Sequence, residues 1–250
     1  MRRRGLRVAV LATCASLTAS AADHRNLDSG LPLAVEDAYP VKFGEPAFHL
    51  LSSYRNLRGG ARQGGVLAEL EYGIARDVQV NLGTHLFGRT RDKNEGSGNV
   101  STGLLYNFNT ETLRAPALAV KAEAEFPTGV DSRGVDVTLK GILTKSAGHH
   151  RVHLNLGQIL AASPQLDERK HRWEGVIGWD RPVGLQKVLI VDVAARESER
   201  RGDPVVTTVE AGIRQQITPL LVAYVGIGVG LRGGAEKQPF SVGFGLTRSF

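Results

Sequence analysis

Charged side chains at alternating positions are the first feature of this 250-residue sequence that points to chemistry. Glu69 and Glu71 are separated by one residue, and Lys121, Glu123 and Glu125 repeat that spacing. In an extended strand every second side chain lies on the same face, so each set would form one charged row. Rows of charge along the wall of a pore set the electric field through which solutes pass.

Other segments carry charges in the same alternating position. The residues predicted to line a lumen are Glu69, Glu71, Lys121, Glu123, Glu125, Lys140, Arg151, Asp192, Glu210 and Arg214. Both signs are present, which indicates weak ion selectivity instead of a strong anion or cation filter. The alternative role for each residue is a salt bridge that stiffens the wall.

Histidine often acts as a general base, so four histidines raise the hypothesis of a lipid or ester hydrolase. They are His85, His149, His150 and His153. The sequence has no G-x-S-x-G nucleophile motif, and no acidic residue has a spacing that would orient one of these rings. A hydrolase is therefore the second interpretation, and no catalytic residue is predicted.

Metal, cofactor and nucleic-acid chemistry find no support in the motifs. There is no H-E-x-x-H, no cysteine pair and no EF-hand loop, and the single cysteine is Cys14. The net charge of +6 includes Arg2, Arg3, Arg4 and Arg7, and the chain after residue 21 is close to neutral. We therefore predict no metal, no cofactor and no nucleic-acid partner.

The N-terminus has the pattern of a secretory signal peptide. Three arginines precede a short apolar run, Val8–Leu17, and an A-x-A pattern at Ala19–Ala21. The run is too short to span a bilayer. We predict that residues 1–21 are a signal peptide, cleaved near Ala21, and that the protein is exported.

The elements that must position the charged rows are β-strands, because apolar and polar residues alternate along most of the chain. Examples are Val66–Tyr72 and Leu118–Phe126. From a first strand near Ala47–Arg55, the pattern predicts about 12 strands, many near the length of a tilted membrane strand. No apolar run is long enough for a transmembrane helix, so a membrane role requires a closed barrel.

Connections between the predicted strands alternate in length. The short ones are Ala75–Asp77, Ser146–His150 and Thr218–Pro219, and the longer, charged ones are Gly88–Gly98, Ala161–His171 and Glu197–Pro204. Outer-membrane barrels have short periplasmic turns and longer loops on the outside. An even number of strands then leaves both chain ends of the barrel on the periplasmic side.

Aromatic residues at predicted strand ends resemble the interfacial girdles of outer-membrane barrels. They are Tyr72, Tyr106, Phe108, Phe126, Trp173, Trp179, Phe240 and Phe250. Phe250 also ends an alternating strand, which resembles the assembly signal of outer-membrane proteins. We therefore predict the barrel-assembly machinery as a partner.

Alternation alone leaves two environments open for the apolar face: lipid, or the dry interior of a soluble barrel or sandwich. The opposite face is rich in charged and small polar residues, which suits a water-filled lumen. We predict an all-β antiparallel transmembrane barrel at residues 47–250, in the bacterial outer membrane and in contact with its lipids. Residues 22–46 form a periplasmic or plug-like segment.

Four motifs in order along the chain carry a family resemblance. They are Pro32–Ala38, Leu70–Val80, Phe126–Gly129 and Val152–Gly157. Together they resemble the outer-membrane channel family known as the "MetA-pathway of phenol degradation" or transporter-like family. The resemblance implies an outer-membrane barrel for uptake of small, often aromatic, compounds, and it supplies no binding residues. Glu36 and Asp37 match its acidic motif.

These observations favour a passive channel for small solutes, aromatic compounds among them, with no enzymatic activity. A third interpretation is a structural or adhesion barrel whose charged loops, Arg89–Lys93 and Glu168–His171, bind a partner. Charged loops are usually only solvated, so this interpretation ranks below the channel.

Overall fold

The computed structural model describes residues 23–56, 62–89, 95–129 and 132–250, and the predicted signal peptide lies outside these ranges. The described chain forms 12 strands and one short 3₁₀ helix, Gly234–Glu236. The strands are β1 Pro46–Asn56, β2 Arg62–Ala75, β3 Val78–Arg89, β4 Glu95–Asn109, β5 Ala117–Phe126, β6 Asp136–Ala147, β7 His150–Leu160, β8 His171–Pro182, β9 Lys187–Arg196, β10 Val206–Thr218, β11 Leu221–Arg232 and β12 Phe240–Ser249. None of the described helices is long and apolar enough to cross a membrane.

The sheet closes into a barrel. Each strand pairs antiparallel with the next, and β1 pairs with β12 in the register Ala47 to Ser249 and Leu50 to Leu246. Closure leaves no open edge, so the backbone groups of the sheet are paired within the wall and need no water. The predicted antiparallel barrel and its strand number are confirmed.

The apolar face of the strands points outward. In β5, Leu118 and Val120 are exposed, whereas Ala117, Ala119 and Lys121 are buried. Elsewhere on the outer surface Leu82 is 54% exposed and Ile177 is 62% exposed. A water-soluble barrel would bury these side chains, so the exterior is built to contact lipid and the soluble alternative is wrong.

The two ends of the barrel differ as predicted. Connections at one end are mostly short: 76–77, 110–116, 148–149, 183–186 and 219–220. At the other end, the fully described connections are 161–170, 197–205 and 233–239. β1 begins and β12 ends at the short-turn end. Gly148, with a φ of +63°, supplies the left-handed conformation that the tight β6–β7 turn requires.

One predicted loop is shorter than expected. The connection placed at Gly88–Gly98 is mostly strand, since β3 continues to Arg89 and β4 begins at Glu95. A register shift between Thr84 and Leu86 interrupts the regular pairing of these strands. Such an irregularity breaks the period of two, which is why the alternation appeared to stop too early.

Candidate functional site

The segment before β1 lies inside the barrel. Residues 23–45, here called the N-terminal hairpin, have both ends at the short-turn mouth. His24 Nδ1 lies 3.0 Å from the Gln216 side-chain oxygen near the end of β10, and Gly44 N–H donates to the Gly73 carbonyl near the end of β2. Between these ends the Asp37 N–H donates to the Leu27 carbonyl, which pairs the two arms. Gly30, with a φ of +82°, lies at the turn.

Glycines in the wall make room for the hairpin. A Cβ at Gly178 would overlap the side chain of Val35, and one at Gly226 would lie 2.9 Å from Leu33 Cδ2. Any larger residue at these positions requires the hairpin to move. The small residues of β8 and β11 therefore shape a groove that matches the hairpin.

Apolar side chains of the wall complete this fit. Leu27, Leu33 and Val35 pack with wall residues Val176 and Ile190, all of them buried. A second cluster surrounds Ala38, with buried wall residues Leu105, Ala117, Ala119 and Ile142. Burial of apolar surface on both arms favours the docked state of the hairpin.

The hairpin backbone bonds to wall side chains in place of a neighbouring strand. The Ala34, Val35 and Glu36 N–H groups donate to Glu210, Asp192 and Asn155, each at 2.9 Å. The Ala38 N–H donates to Thr144 Oγ1 at 3.0 Å, and the Val41 N–H donates to Gln79 at 2.8 Å. Wall side chains also donate to carbonyl groups of the hairpin: Asn155 to Glu36, Asn107 to Ala38 and Arg214 to Leu31. Irregular backbone at membrane depth is stable only with partners of this kind.

Glu36 joins two strands of the wall through buried charges. Its Oε1 lies 2.7 Å from Lys121 Nζ on β5, and its Oε2 lies 3.3 Å from Lys140 Nζ on β6. Burial alone would raise the pKa of Glu36, but the charges and hydrogen bonds of the two lysines outweigh it and hold the pKa below its usual range. The hairpin is therefore anchored by an ionised carboxylate.

Asp37 anchors the hairpin to a second charged network. Arg151 Nη1 lies 3.2 Å from Asp37 Oδ2, and Arg151 Nε donates to Asp180 Oδ2 at 2.8 Å. Arg151 also donates to the carbonyl of Arg25. Burial raises the pKa of Asp37, and the charge of Arg151 offsets only part of that rise. Neighbouring Glu36 and Asp37 therefore occupy opposite electrostatic environments.

The arrangement around His153 resembles a catalytic triad only in its connectivity. His153 Nε2 lies 2.7 Å from Asp180 Oδ2, and His153 Nδ1 lies 3.0 Å from Thr144 Oγ1. His153, Asp180 and Thr144 each have 0% exposure. The Thr144 oxygen is already occupied by the Ala38 N–H. A substrate has no access to this hydroxyl while the hairpin is docked, so the geometry serves structure.

A third cluster of ionisable side chains joins the hairpin to the wall: Asp28 of the hairpin with His49 on β1 and Glu71 on β2. His49 Nε2 is 2.9 Å from Glu71 Oε2, and His49 Nδ1 is 2.8 Å from Thr247 Oγ1. One ligand atom each of Asp28, His49 and Glu71 lies within 4.8 Å of the others. Burial, with the charge of Glu71 as the next cause, raises the pKa of Asp28 to about 7. The cluster thus concentrates negative charge where water is scarce.

The ten predicted lumen residues all lie on the inward face of their strands, but they do not act alike. Six of them contact the hairpin: Lys121, Lys140, Arg151, Asp192, Glu210 and Arg214.

The other four lie in separate contacts. Glu71 belongs to the His49 cluster, and the Glu69 carboxylate accepts a hydrogen bond from the Asn81 side chain at 2.7 Å. Glu123 is 3.8 Å from Lys121, and exposed Glu125 accepts from Asn99 at 2.7 Å. Their effect on solute passage stays a prediction.

Phe250 lies at the short-turn end of the barrel. Its N–H donates to the Pro46 carbonyl at 3.2 Å, and its ring is 42% exposed. The guanidinium of Arg248 lies 5.2 Å from the centre of the ring. An accessible ring is compatible with the predicted assembly signal, which stays a prediction.

Among the cavities inside the barrel, two lie on opposite sides of the hairpin. One, of about 420 Å³, opens toward the short-turn mouth and is lined by Asp28, Tyr39 and His49 among others. The other, of about 290 Å³, is lined by Gly30 at the hairpin turn together with Arg55 and other side chains of the wall. They share no lining residue, so the hairpin divides the lumen.

Sequence reasoning missed the wall residues that receive the hairpin. Asp180, His49 and Thr247 were not among the predicted site residues, although each lies in a buried network. The signal was available in Val188–Val191, four consecutive apolar residues where alternation predicts a polar inner face. Apolar residues on both faces indicate a strand that is covered on both sides.

Comparison of the sequence with protein-family profiles and with curated proteins finds no match. Among solved structures, the barrel is similar to an outer membrane channel from Pseudomonas putida F1, with a TM-score of 0.71 and 13% identity over 90% of this chain and 100% of that chain. It is also similar to the NanC porin, with a TM-score of 0.59 and 11% identity over 81% of this chain and 98% of that chain.

The KdgM porin, solved in complex with disordered oligogalacturonate, is similar with a TM-score of 0.58 and 9% identity over 82% of this chain and 99% of that chain. These identities are low, so the similarities establish the fold, while the resemblance to the phenol-degradation family stays a prediction. With its lipid-facing exterior and closed 12-stranded wall, this chain is a porin-like β-barrel of the outer membrane.

Proposed function

We propose that the protein is a channel for small solutes and that the N-terminal hairpin is its plug. The observation that carries the proposal is the separation of two cavities of a polar lumen by a segment with both ends at one mouth. Apart from the peptide bond by which Glu45 continues into β1, the described contacts between the hairpin and the strands are hydrogen bonds, ion pairs and apolar packing. Conduction then requires the hairpin to shift or leave, which breaks hydrogen bonds and ion pairs but no chemical bond.

The similar solved structures support this function, since three of them are a channel and two porins. The identity of the transported solute is a second, more specific proposal. Cavities of about 290 and 420 Å³ lie near the lower end of the roughly 300–1,000 Å³ of small-molecule sites. Together with the family resemblance, this size favours small solutes such as monocyclic aromatic acids.

A reversible disulfide cross-link between the hairpin and the wall tests whether the hairpin blocks the channel. The Cβ of Val35 lies 2.8 Å from the position of a Cβ at Gly178, within about an ångström of the roughly 3.8 Å found across disulfides. Val35→Cys also removes a methyl group that would overlap the new side chain, and the two Cβ atoms must then separate by about 1 Å for the disulfide to form. The double variant Val35→Cys with Gly178→Cys can therefore be oxidised to fix the hairpin in place and reduced to free it.

In planar bilayers we expect discrete conductance steps for the wild type, few or no steps for the oxidised double variant, and their return on reduction. The single variant Val35→Cys, treated identically, is the control for the oxidant. Equal conductance of the oxidised and reduced double variant would contradict the plug. Absence of conductance in the wild type and in the reduced variant would contradict the channel.

Liposome swelling addresses the cargo. We expect benzoate to enter liposomes that contain the protein faster than a disaccharide does, and faster still after deletion of residues 23–45. A rate for benzoate equal to that of protein-free liposomes in both forms would contradict the proposed cargo.

A further inference from the structure

We infer that Asp28, His49 and Glu71 form a binding site for a divalent transition-metal ion of the Zn²⁺ type. The site joins the hairpin, through Asp28, to strands β1 and β2 of the wall. Binding of the ion does not depend on the proposed channel activity, and it is tested separately from it.

The donor set matches this class of ion. One imidazole nitrogen and two carboxylate oxygens lie within 4.8 Å of one another. Zn²⁺ accepts exactly these donor types at about 2.0–2.2 Å, so three ligands around one ion lie about 3–4 Å apart. Mg²⁺ and Ca²⁺ prefer sites made entirely of oxygen, so the imidazole favours a transition metal.

An oxygen of Asp28 supplies an independent indication of a ligand. Asp28 is 6% exposed, and its Oδ2 is buried without a hydrogen-bond donor among the residues that the structure describes. The guanidinium of Arg214 is within ion-pair distance of this oxygen, with Nη1 3.9 Å away, but Nη1 donates to the Leu31 carbonyl instead. A buried carboxylate oxygen without a donor is costly, and a metal ion would provide the missing partner.

His49 is oriented as a metal ligand is. Its Nδ1 lies 2.8 Å from Thr247 Oγ1, and its Nε2 lies 2.9 Å from Glu71 Oε2. When a metal occupies Nε2, the Nδ1–H donates to the threonine oxygen, which fixes the tautomer. A hydroxyl can also donate to Nδ1, so the same pair fits the metal-free state in which Nε2–H donates to Glu71.

Charge and access complete the case. The two carboxyl groups favour a cation, and Arg214 weakens that attraction. His49 must be neutral to bind the ion, so binding releases any proton that it carries. Asp28 and His49 line the cavity of about 420 Å³ that opens toward the short-turn mouth. An ion can enter there, and three protein ligands leave further coordination positions for water from the cavity.

Metal binding by the full-length folded barrel in detergent tests the inference. After treatment with EDTA and dialysis, isothermal titration with Zn²⁺ should show one site per barrel, and Mg²⁺ should show none at the same concentration. Asp28→Asn keeps the shape of the side chain but removes its charge, and we expect affinity at least about tenfold weaker. Thr247→Val, which removes only the partner of Nδ1, should weaken binding by about tenfold.

Glu45→Gln is the matched control, because Glu45 lines the same cavity outside the cluster. We expect it to bind Zn²⁺ as the wild type does, and resistance of each variant to SDS before boiling verifies folding. Co²⁺ should give visible absorption bands of a low-coordinate site in the wild type and lose them in Asp28→Asn. Equal Zn²⁺ affinity of Asp28→Asn and wild type, or equal binding of Mg²⁺ and Zn²⁺, would overturn the inference.

Discussion

The two halves of the lumen use similar charged residues in different ways. Around the hairpin, Glu36 is 2% exposed and contacts two lysines, whereas Glu125, nearer the long loops, is exposed and accepts from Asn99. In the loops themselves Arg200 and Asp167 pair at 3.8 Å with side chains that are 67% and 64% exposed. A buried pair leaves an uncompensated charge when one partner is removed, whereas an exposed pair is replaced by water. Burial, more than residue type, therefore decides which charges hold the plug.

The largest effect is expected from Glu36→Gln. Removing the carboxylate leaves the buried ammonium of Lys121 and the part-buried ammonium of Lys140 without their common partner. Breaking a buried pair costs about 3–5 kcal/mol, and Glu123 and Glu174, at 3.8 and 3.5 Å from the lysines, offset part of this cost to docking of the hairpin. Access of protease to residues 23–45, together with open probability in bilayers, measures undocking. The control Glu125→Gln alters an exposed carboxylate and should change neither. Equal behaviour of the two variants would show that burial does not separate the two halves.

The pH dependence of hairpin docking tests the same contact between Glu36 and the two lysines. Because the lysines lower the pKa of Glu36, ionised Glu36 stabilises docking above the ordinary glutamate pKa of about 4.3, and this is lost as pH falls through the lower folded value. Asp37, whose pKa is raised, acts in the opposite direction and is common to both proteins. The difference in protease access between wild type and Glu36→Gln should be constant from about pH 8 to pH 5 and shrink below about pH 4. A difference that disappears near pH 6 would contradict this sign.

A smaller effect is expected from Gly178→Ala. The added methyl overlaps Val35, and such overpacking costs about 1–3 kcal/mol, so the hairpin should become more accessible to protease and the channel more open. Gly141→Ala is the matched control, since the nearest atom to a Cβ there is the Leu156 carbonyl oxygen at 3.9 Å. Unchanged access in Gly178→Ala would show that the groove is wider than this packing indicates.

The strands of the wall could be predicted because, within each strand, apolar residues that face lipid alternate with polar residues that face the lumen. In β5, Leu118 and Val120 alternate with Lys121 and Glu123, and that local pattern suffices to assign the outward and inward faces. Strand number and the position of both ends of the barrel at the short-turn end then follow from counting. Nothing in that reasoning required knowledge of distant contacts.

The docked position of the hairpin could not be predicted in this way, because it depends on contacts between residues that are distant in the sequence. Glu36 lies 85 residues from Lys121 and 104 from Lys140, and His49 meets Thr247 only because β1 pairs with β12. No local pattern encodes these distances. The one local trace was the apolar run Val188–Val191, in which the inward-facing residues contact the hairpin instead of water.

The smallest effect is expected from Asp167→Asn in the long loops. Its partner Arg200 is two-thirds exposed, so water and salt replace the carboxylate, and the free energy of unfolding should change by less than about 1 kcal/mol. Docking of the hairpin should not change, because the pair lies in the loops at the opposite end of the barrel from the hairpin's mouth. Thermal unfolding at low and high salt measures the first quantity, and protease access to residues 23–45 measures the second. A change in hairpin access would mean that the loops and the plug are coupled through the wall, and the two halves of the lumen would then act as one unit.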